Sequence, residues 1–197
     1  MQLKDSPVPE TYKKRKNIFE KGEWEWLIQP DVLVEKSPAG IERRLPWSEV
    51  LLVRLVFSPT RSKTWRHYFQ VHYRNGSSLE IDNVHFKSFG MFEDRSKDYS
   101  PFVRMALERI AEHSPQAALT LGLTPLVYAA GLIVMVSAIL ILAYAVWMLP
   151  LSIGSPLVTG IVKLSLVMIA APSFCLWALR TRPRKASLQA IPQNELP

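Results

Sequence analysis

The side chains able to do chemistry are few, and their spacing argues against most reactions. His67 and His72 stand five residues apart in a stretch that alternates as a strand, so they point to opposite faces and cannot chelate one ion together. His85 is isolated, and His113 falls at the end of an expected helix, where partial positive charge is favoured. Cys175 is the single cysteine and lies in a hydrophobic run, which leaves neither an internal disulfide nor a thiolate cluster. Gly-x-Ser-x-Gly, Gly-x-Gly-x-x-Gly and phosphate-binding loops are absent from the sequence. Glu93, Asp94 and Asp98 cluster, but Arg95 and Lys97 interleave with them, the pattern of a solvated loop. The sequence therefore assigns no catalytic residue, no cofactor and no metal site. A non-enzyme is expected, with no small-molecule substrate.

Basic residues offer the remaining chemistry. Lys13, Lys14, Arg15 and Lys16 are consecutive; Arg61, Lys63 and Arg66 surround Trp65; Arg54 stands on a strand face. An anionic lipid surface attracts each nearby Lys or Arg by about 1 kcal/mol. The same charges also serve topology and solubility, so both readings stand. These eight residues are the candidate lipid or partner surface. The net charge of +7 could also suit a nucleic acid. A membrane anchor makes lipid the more economical partner, and no nucleic acid is expected.

Charge is distributed in a way that divides the chain. Residues 1–115 hold 19 of the 24 Lys/Arg and 16 of the 17 Asp/Glu, and nothing charged occurs from Ser114 to Val162. Leu126–Met148 and Leu157–Leu179 are each 23 residues long, and only the second carries a charge, Lys163. At about 1.5 Å per residue each reaches roughly 34 Å, enough for a hydrocarbon layer of about 30 Å. Pro150 and Pro156 in the short uncharged connection stop one helix and start the next. Arg104 and Arg109 precede the pair, and Arg180, Arg182, Arg184 and Lys185 follow it. Positive charge on that side places both termini in the cytoplasm of a plasma membrane. The segment after Lys16 has no apolar core of a leader, so insertion is expected to rely on these two segments.

Two features inside the segments could carry a role. Gly131, Ala138 and Ala145 recur every seven residues, a stripe of small side chains expected to form a helix-packing seam. Lys163 is the one intramembrane charge, and such charges are functional candidates by default. Its position near the outer end also lets its stem carry the ammonium to the interface.

The charged part reads as strands. Residues 23–28, 32–35, 41–45, 50–57 and 65–73 alternate, and the turn Ser37–Gly40 joins the second and third. After Tyr73 the pair Asn75-Gly76 marks a hairpin. A three-residue loop, Arg74–Gly76, sets Leu79 opposite Val71 and Ile81 opposite Phe69; a two-residue turn would mix the faces. Ser100-Pro101 reads as the cap and first position of a helix with Phe102, Val103, Ala106, Leu107 and Ile110 on its apolar face.

The expected architecture is a β-rich N-terminal domain, a pleckstrin-homology-like sandwich of six or seven antiparallel strands plus one C-terminal helix, followed by an α-helical transmembrane hairpin. Residues 1–16 form a basic flexible segment, 17–115 the domain, 116–180 the two spans and 181–197 a basic flexible tail. At Phe92-Glu93-Asp94-Arg95-Ser96, Tyr99, Pro101-Phe102-Val103 and Leu107-Glu108-Arg109-Ile110 the chain resembles a group of uncharacterised bacterial two-span membrane proteins with such an N-terminal domain. The resemblance implies a bacterial inner membrane and no particular activity. The expected role is a non-catalytic, membrane-tethered cytoplasmic module that binds a protein partner or the anionic lipid surface. The alternative is an accessory subunit of a transport or envelope-assembly complex, recognised through its hairpin.

Overall fold

The computed structural model describes residues 10–60, 62–150, 155–169, 171–188 and 196–197. Contacts divide the chain into two units, Met1–Leu121 with Arg184–Pro197, and Gly122–Pro183.

The first unit is β-rich. Strands β1 (Thr11–Lys14), β2 (Trp24–Ile28), β3 (Val32–Lys36) and β4 (Glu42–Pro46) form an antiparallel meander. A 3-10 turn, Trp47–Glu49, leads into β5 (Val50–Phe57), β6 (His67–Tyr73) and β7 (Ser78–Asp82), a second meander. Strands β8 (Val84–Ser88) and β9 (Met91–Asp94) make a separate hairpin, and helix α1 (Ser96–His113) follows. Strand β10 (Ala118–Leu121) then runs parallel to β5, and β11 (Arg184–Ala186) pairs antiparallel with β10. The second sheet is thus ordered β11-β10-β5-β6-β7.

Alternation dictates the core. Trp26, Leu33, Val53, Phe69, Val71 and Ile81 turn inward and are fully buried. The α1 stripe Tyr99, Phe102, Val103, Ala106, Leu107 and Ile110 closes over them. Tyr12 joins both, its ring 5.6 Å from Phe102 and 5.9 Å from Trp26. The β6–β7 register is the expected one, with Val71 opposite Leu79 and Phe69 opposite Ile81. Gly76 closes the turn at φ +81°, a conformation that costs a side chain about 1–2 kcal/mol.

Four expectations need correction. Residues 11–14 belong to a strand rather than a flexible segment, because Tyr12 and Lys14 alternate inward while Thr11 and Lys13 do not. Helix α1 begins at Ser96, not at Pro101: the Asp94 carboxylate accepts from the Ser96 amide at 2.9 Å and supplies the turn that starts it. Residues 184–186 are a strand rather than part of a flexible tail, since Leu119, Thr120 and Leu121 present a backbone edge that they pair with. The unit has more strands than six or seven, eleven being formed by the described residues. Residues 1–9 and 189–195 lie outside the described residues.

The second unit holds helices α2 (Pro125–Met148), α3 (Pro156–Met168) and α4 (Ala171–Thr181). Thr124 and Ser155 cap α2 and α3 through the Val127 and Val158 amides, each with proline at the first position. Helix α2 is the one helix among the described residues long and apolar enough to cross a membrane. The second segment, expected as an unbroken helix over 157–179, is divided between α3 and α4. Pro172 gives the reason: it has no N–H for the Met168 carbonyl, and its ring crowds that turn. The connection over residues 151–154 lies outside the described residues.

Candidate functional site

One end of the β-rich unit gathers most of its unusual chemistry. Strand β5 ends at Phe57, opposite His67 of β6, while Tyr68 faces Asp82 at the end of β7. Leu121, the last residue of β10, is level with Leu55, and Arg184, the first of β11, is level with Leu121. The chain therefore leaves and re-enters this unit at the end where Asp82 lies.

Asp82 is 6% exposed and carries two cations. The Lys14 ammonium meets its Oδ1, while Arg66 donates to Oδ2 through Nε at 2.9 Å and Nη2 at 2.8 Å. Tyr12 donates its hydroxyl to the Asp82 carbonyl at 2.9 Å. Burial, then the cations of Lys16 and Arg66, pull the Lys14 amine down to about 7, against the opposing charge of Glu80. Asn83, fully buried, accepts from the His67 amide and donates to the Trp65 carbonyl and Ser96 hydroxyl. It thus ties the start of α1 to the β5–β6 loop.

A lysine with a lowered pKa is a candidate nucleophile. Lys14 fails the geometric requirement. Its amine is sealed against Asp82, and neither of two surface concavities reaches it. One, of about 420 Å³, runs beside Thr120 and Lys185; the other, of about 570 Å³, follows Ser96 to Glu108 and ends at Pro197. Among the described residues, no three His, Cys, Asp or Glu side chains gather to hold a metal ion.

Outside this buried ion cluster lies a layer of cations on rings. Lys16 stands 3.5 Å over Trp24, Lys63 4.0 Å over Phe92, Arg66 4.1 Å over Tyr68 and Arg15 5.4 Å over Phe86. Burial, as the first cause, lowers the pKa of both Lys16 and Lys63. Arg15 also donates to the carbonyls of Glu20 at 2.7 Å and Ile18 at 3.1 Å, and the Arg15 carbonyl accepts from the Phe86 amide at 2.9 Å. It therefore fixes the β1–β2 loop and joins it to the β8–β9 hairpin. Beyond this layer two loop tips expose apolar side chains: Ile18 and Phe19 on one, Phe89 and Met91 on the other. Phe19 is 92% exposed and Phe89 91%, with Lys21 and Lys87 exposed beside them.

Of the eight basic candidates, Lys14, Arg15, Lys16, Lys63 and Arg66 converge on this end. Lys13 turns outward from β1 and pairs with Glu25 at 3.0 Å. Arg54 lies mid-strand on the outer sheet face, 3.4 Å from Thr120 Oγ1, and belongs to no cluster with the others. Arg61 lies outside the described residues. Sequence reasoning missed Phe19, Phe89, Lys21 and Lys87. Their signal was readable: apolar pairs at Ile18-Phe19 and around the turn at Gly90, in segments otherwise polar and without alternation.

The helical unit has its own contacts. Helix α2 runs antiparallel beside α3 and α4, with Tyr128 stacked on Trp177 at 6.1 Å and Lys163 donating to the Trp147 carbonyl at 2.8 Å. Lys163 thereby satisfies a free carbonyl at the C-terminal end of α2 and offsets its dipole. Gly131 lies against Trp177, where a Cβ would come within 2.5 Å of the indole. Ala138 and Ala145 are exposed, so of the three small residues only Gly131 meets another helix within the chain. The covered stripe is Tyr128, Leu132, Met135, Ile139, Ala143 and Val146, with Gly131 at its edge. At 3.6 residues per turn a seven-residue step slips by about 20°, so each repeat of the small stripe moves further from the contact.

No protein-family model matches the chain, and no curated protein matches it.

Proposed function

We propose that this chain is a non-catalytic cytoplasmic module of pleckstrin-homology-like architecture, held on a plasma membrane by two crossings and working against the anionic lipid of that leaflet. The observation that carries the reading is the pairing of β10 with β11. Strand β10 leads into α2 and β11 follows α4, so the chain must return to the side from which it departed. Helix α2 buries only Val146 among its 24 residues, which suits lipid around it and not a soluble core. With α2 crossing once, α3 and α4 supply the second crossing, kinked at Pro172. Positive charge flanks the apolar region in sequence, Arg104 and Arg109 before it and Arg180, Arg182, Arg184 and Lys185 after it, which supports a cytoplasmic assignment of that side. The order of two meanders and a later helix supports the pleckstrin-homology-like reading, to which the β8–β9 hairpin before α1 and the β10–β11 pair are additions.

Disulfide trapping tests the crossing number. Thr120 and Lys185 are direct partners, and opposed antiparallel residues stand about 4.5–5.5 Å apart at Cα. That lies within the span of about 4.4–6.8 Å that a disulfide bridges. In a Cys175→Ala background, Thr120→Cys with Lys185→Cys should crosslink rapidly on mild oxidation of intact membranes, in protein that resists alkaline extraction. A membrane-integrated chain that never forms the link would refute two crossings.

A further inference from the structure

We infer that the Phe19 and Phe89 tips together form a wedge that enters the interface of an anionic membrane, with Lys21 and Lys87 as its electrostatic fringe. The inference rests on the tethered reading above and adds the residues that touch lipid.

Exposure is the first observation. Phe19 and Phe89 are more than nine-tenths exposed, while the twelve bulkiest fully buried side chains of the fold include neither. A soluble surface rarely spends two phenylalanines, an isoleucine and a methionine on adjacent loop tips without an apolar occupant. Rigidity is the second. The Phe19 amide donates to Asn17 Oδ1 at 2.9 Å, and Arg15 clamps Ile18 and Glu20, so the tip is pre-shaped. On the second tip, Gly90 takes φ +75° and sets Phe89 and Met91 on a tight turn. The Arg15–Phe86 contact and the bond from the Phe86 amide to the Arg15 carbonyl join the two loops near their roots.

Charge and placement choose the occupant. The exposed side chains flanking the tips include Lys21 and Lys87, the latter paired with Glu93 at 2.9 Å, and Lys16 and Lys63 are seated on the rings of Trp24 and Phe92. A protein groove would need a complementary shape; an anionic lipid interface needs only apolar tips with cations one layer behind. The tips also extend from the end of the unit where the chain departs at Leu121 and re-enters at Arg184.

Site-directed spin labelling of the full chain tests the wedge. In the Cys175→Ala background, Phe19→Cys, Phe89→Cys and, as a control on the turn at the far end of β6, Arg74→Cys are labelled in nanodiscs. The discs contain phosphatidylcholine alone or with phosphatidylglycerol. Collision with oxygen against a water-soluble nickel chelate should shift severalfold towards oxygen at 19 and 89 in phosphatidylglycerol discs, and stay aqueous at 74. Adding Lys21→Glu and Lys87→Glu should abolish the shift. Labels at 19 and 89 as wet as that at 74, equal shielding in neutral discs, or shielding only when other membrane proteins are added would each overturn the wedge. Alkaline extraction is read on the same variants in membranes, and the 120–185 disulfide in parallel on the separate Thr120→Cys, Lys185→Cys protein. Integrated, crosslinked protein with wet tips refutes the wedge alone, whereas extracted protein refutes the reading beneath it.

Discussion

The Lys14 ammonium lies against the Asp82 carboxylate with both side chains out of water, at the end of the β-rich unit where the chain departs. Desolvating both ions is costly, so the pair holds only because Arg66 shares the carboxylate and Tyr12 fixes the Asp82 backbone. The cluster joins β1 to β7, which no backbone ladder connects. Through Asn83 and Arg15 it also sets the base from which the two aromatic tips extend.

Removing the shared anion should therefore cost far more than removing one cation. Asp82→Asn leaves the buried Lys14 and the partly exposed Arg66 without their shared counter-charge and should lose about 3–5 kcal/mol. Lys14→Met leaves the Arg66–Asp82 pair intact and should lose much less. Thermal melting followed through the buried Trp26 and Trp47 compares them; equal losses would show that the carboxylate is not the keystone.

Protonation gives the same cluster a pH signature. The folded Lys14 amine is lowered to about 7, while the unfolded lysine keeps its ordinary value near 10.5. Between those values the unfolded chain binds the extra proton, so stability should rise with pH from about 7 upwards. Below about 7 both states are protonated and this gain is absent. Denaturant midpoints at several pH values, for the natural chain and Lys14→Met, isolate the effect. Identical slopes in the two proteins would mean that Asp82 keeps the amine protonated throughout.

In the helical unit, Gly131 makes a sharper prediction than its neighbours on the small stripe. Gly131→Leu would push into the Trp177 ring and break its stack on Tyr128, at about 1–3 kcal/mol. Ala138→Leu adds the same side chain to an exposed position and should be neutral. Resistance of the reconstituted protein to thermolysin on heating reads both, and a neutral Gly131→Leu would remove that seam.

What the sequence disclosed follows from locality. The β6–β7 register was legible because both strands, their alternation and Gly76 lie within sixteen residues, 67–82. The start of α3 was legible from Pro156 in the connection, and that of α2 to within one residue from the onset of the apolar run at Leu126. Strand β1 was hidden because its inward residues are Tyr12 and Lys14, and a buried lysine breaks the apolar alternation on which strand recognition depends. The β10–β11 pairing was hidden by distance: Leu119 and Ala186 are separated by the whole apolar region. Pro172 was legible and was passed over, because composition alone made residues 157–179 look continuous. The cation cluster was half visible. Lysine and arginine runs stood out, but the rings that seat them come from β2, β6, β8 and β9 and meet only in the fold.

Strand β11 offers the plainest contrast between the two views of the C-terminal residues. A flexible tail could be deleted without consequence. Here Arg184–Ala186 cover the open edge of β10, Ala186 and Leu188 pack against the core, and Ser100 donates its hydroxyl to the Pro197 carbonyl at 2.6 Å. Removing residues 184–197 should therefore leave the chain in the membrane but lower the Tm of the β-rich unit. For a domain of roughly a hundred residues each 1 kcal/mol is about 4–8 °C. Ala186→Pro, which removes one N–H and crowds the ladder, should reproduce part of the loss without shortening the chain. It should also slow the 120–185 crosslink, since the same register serves both. An unchanged Tm in the deletion and in Ala186→Pro would return these residues to a passive tail. The argument that the chain comes back to the side it left would then lose its support.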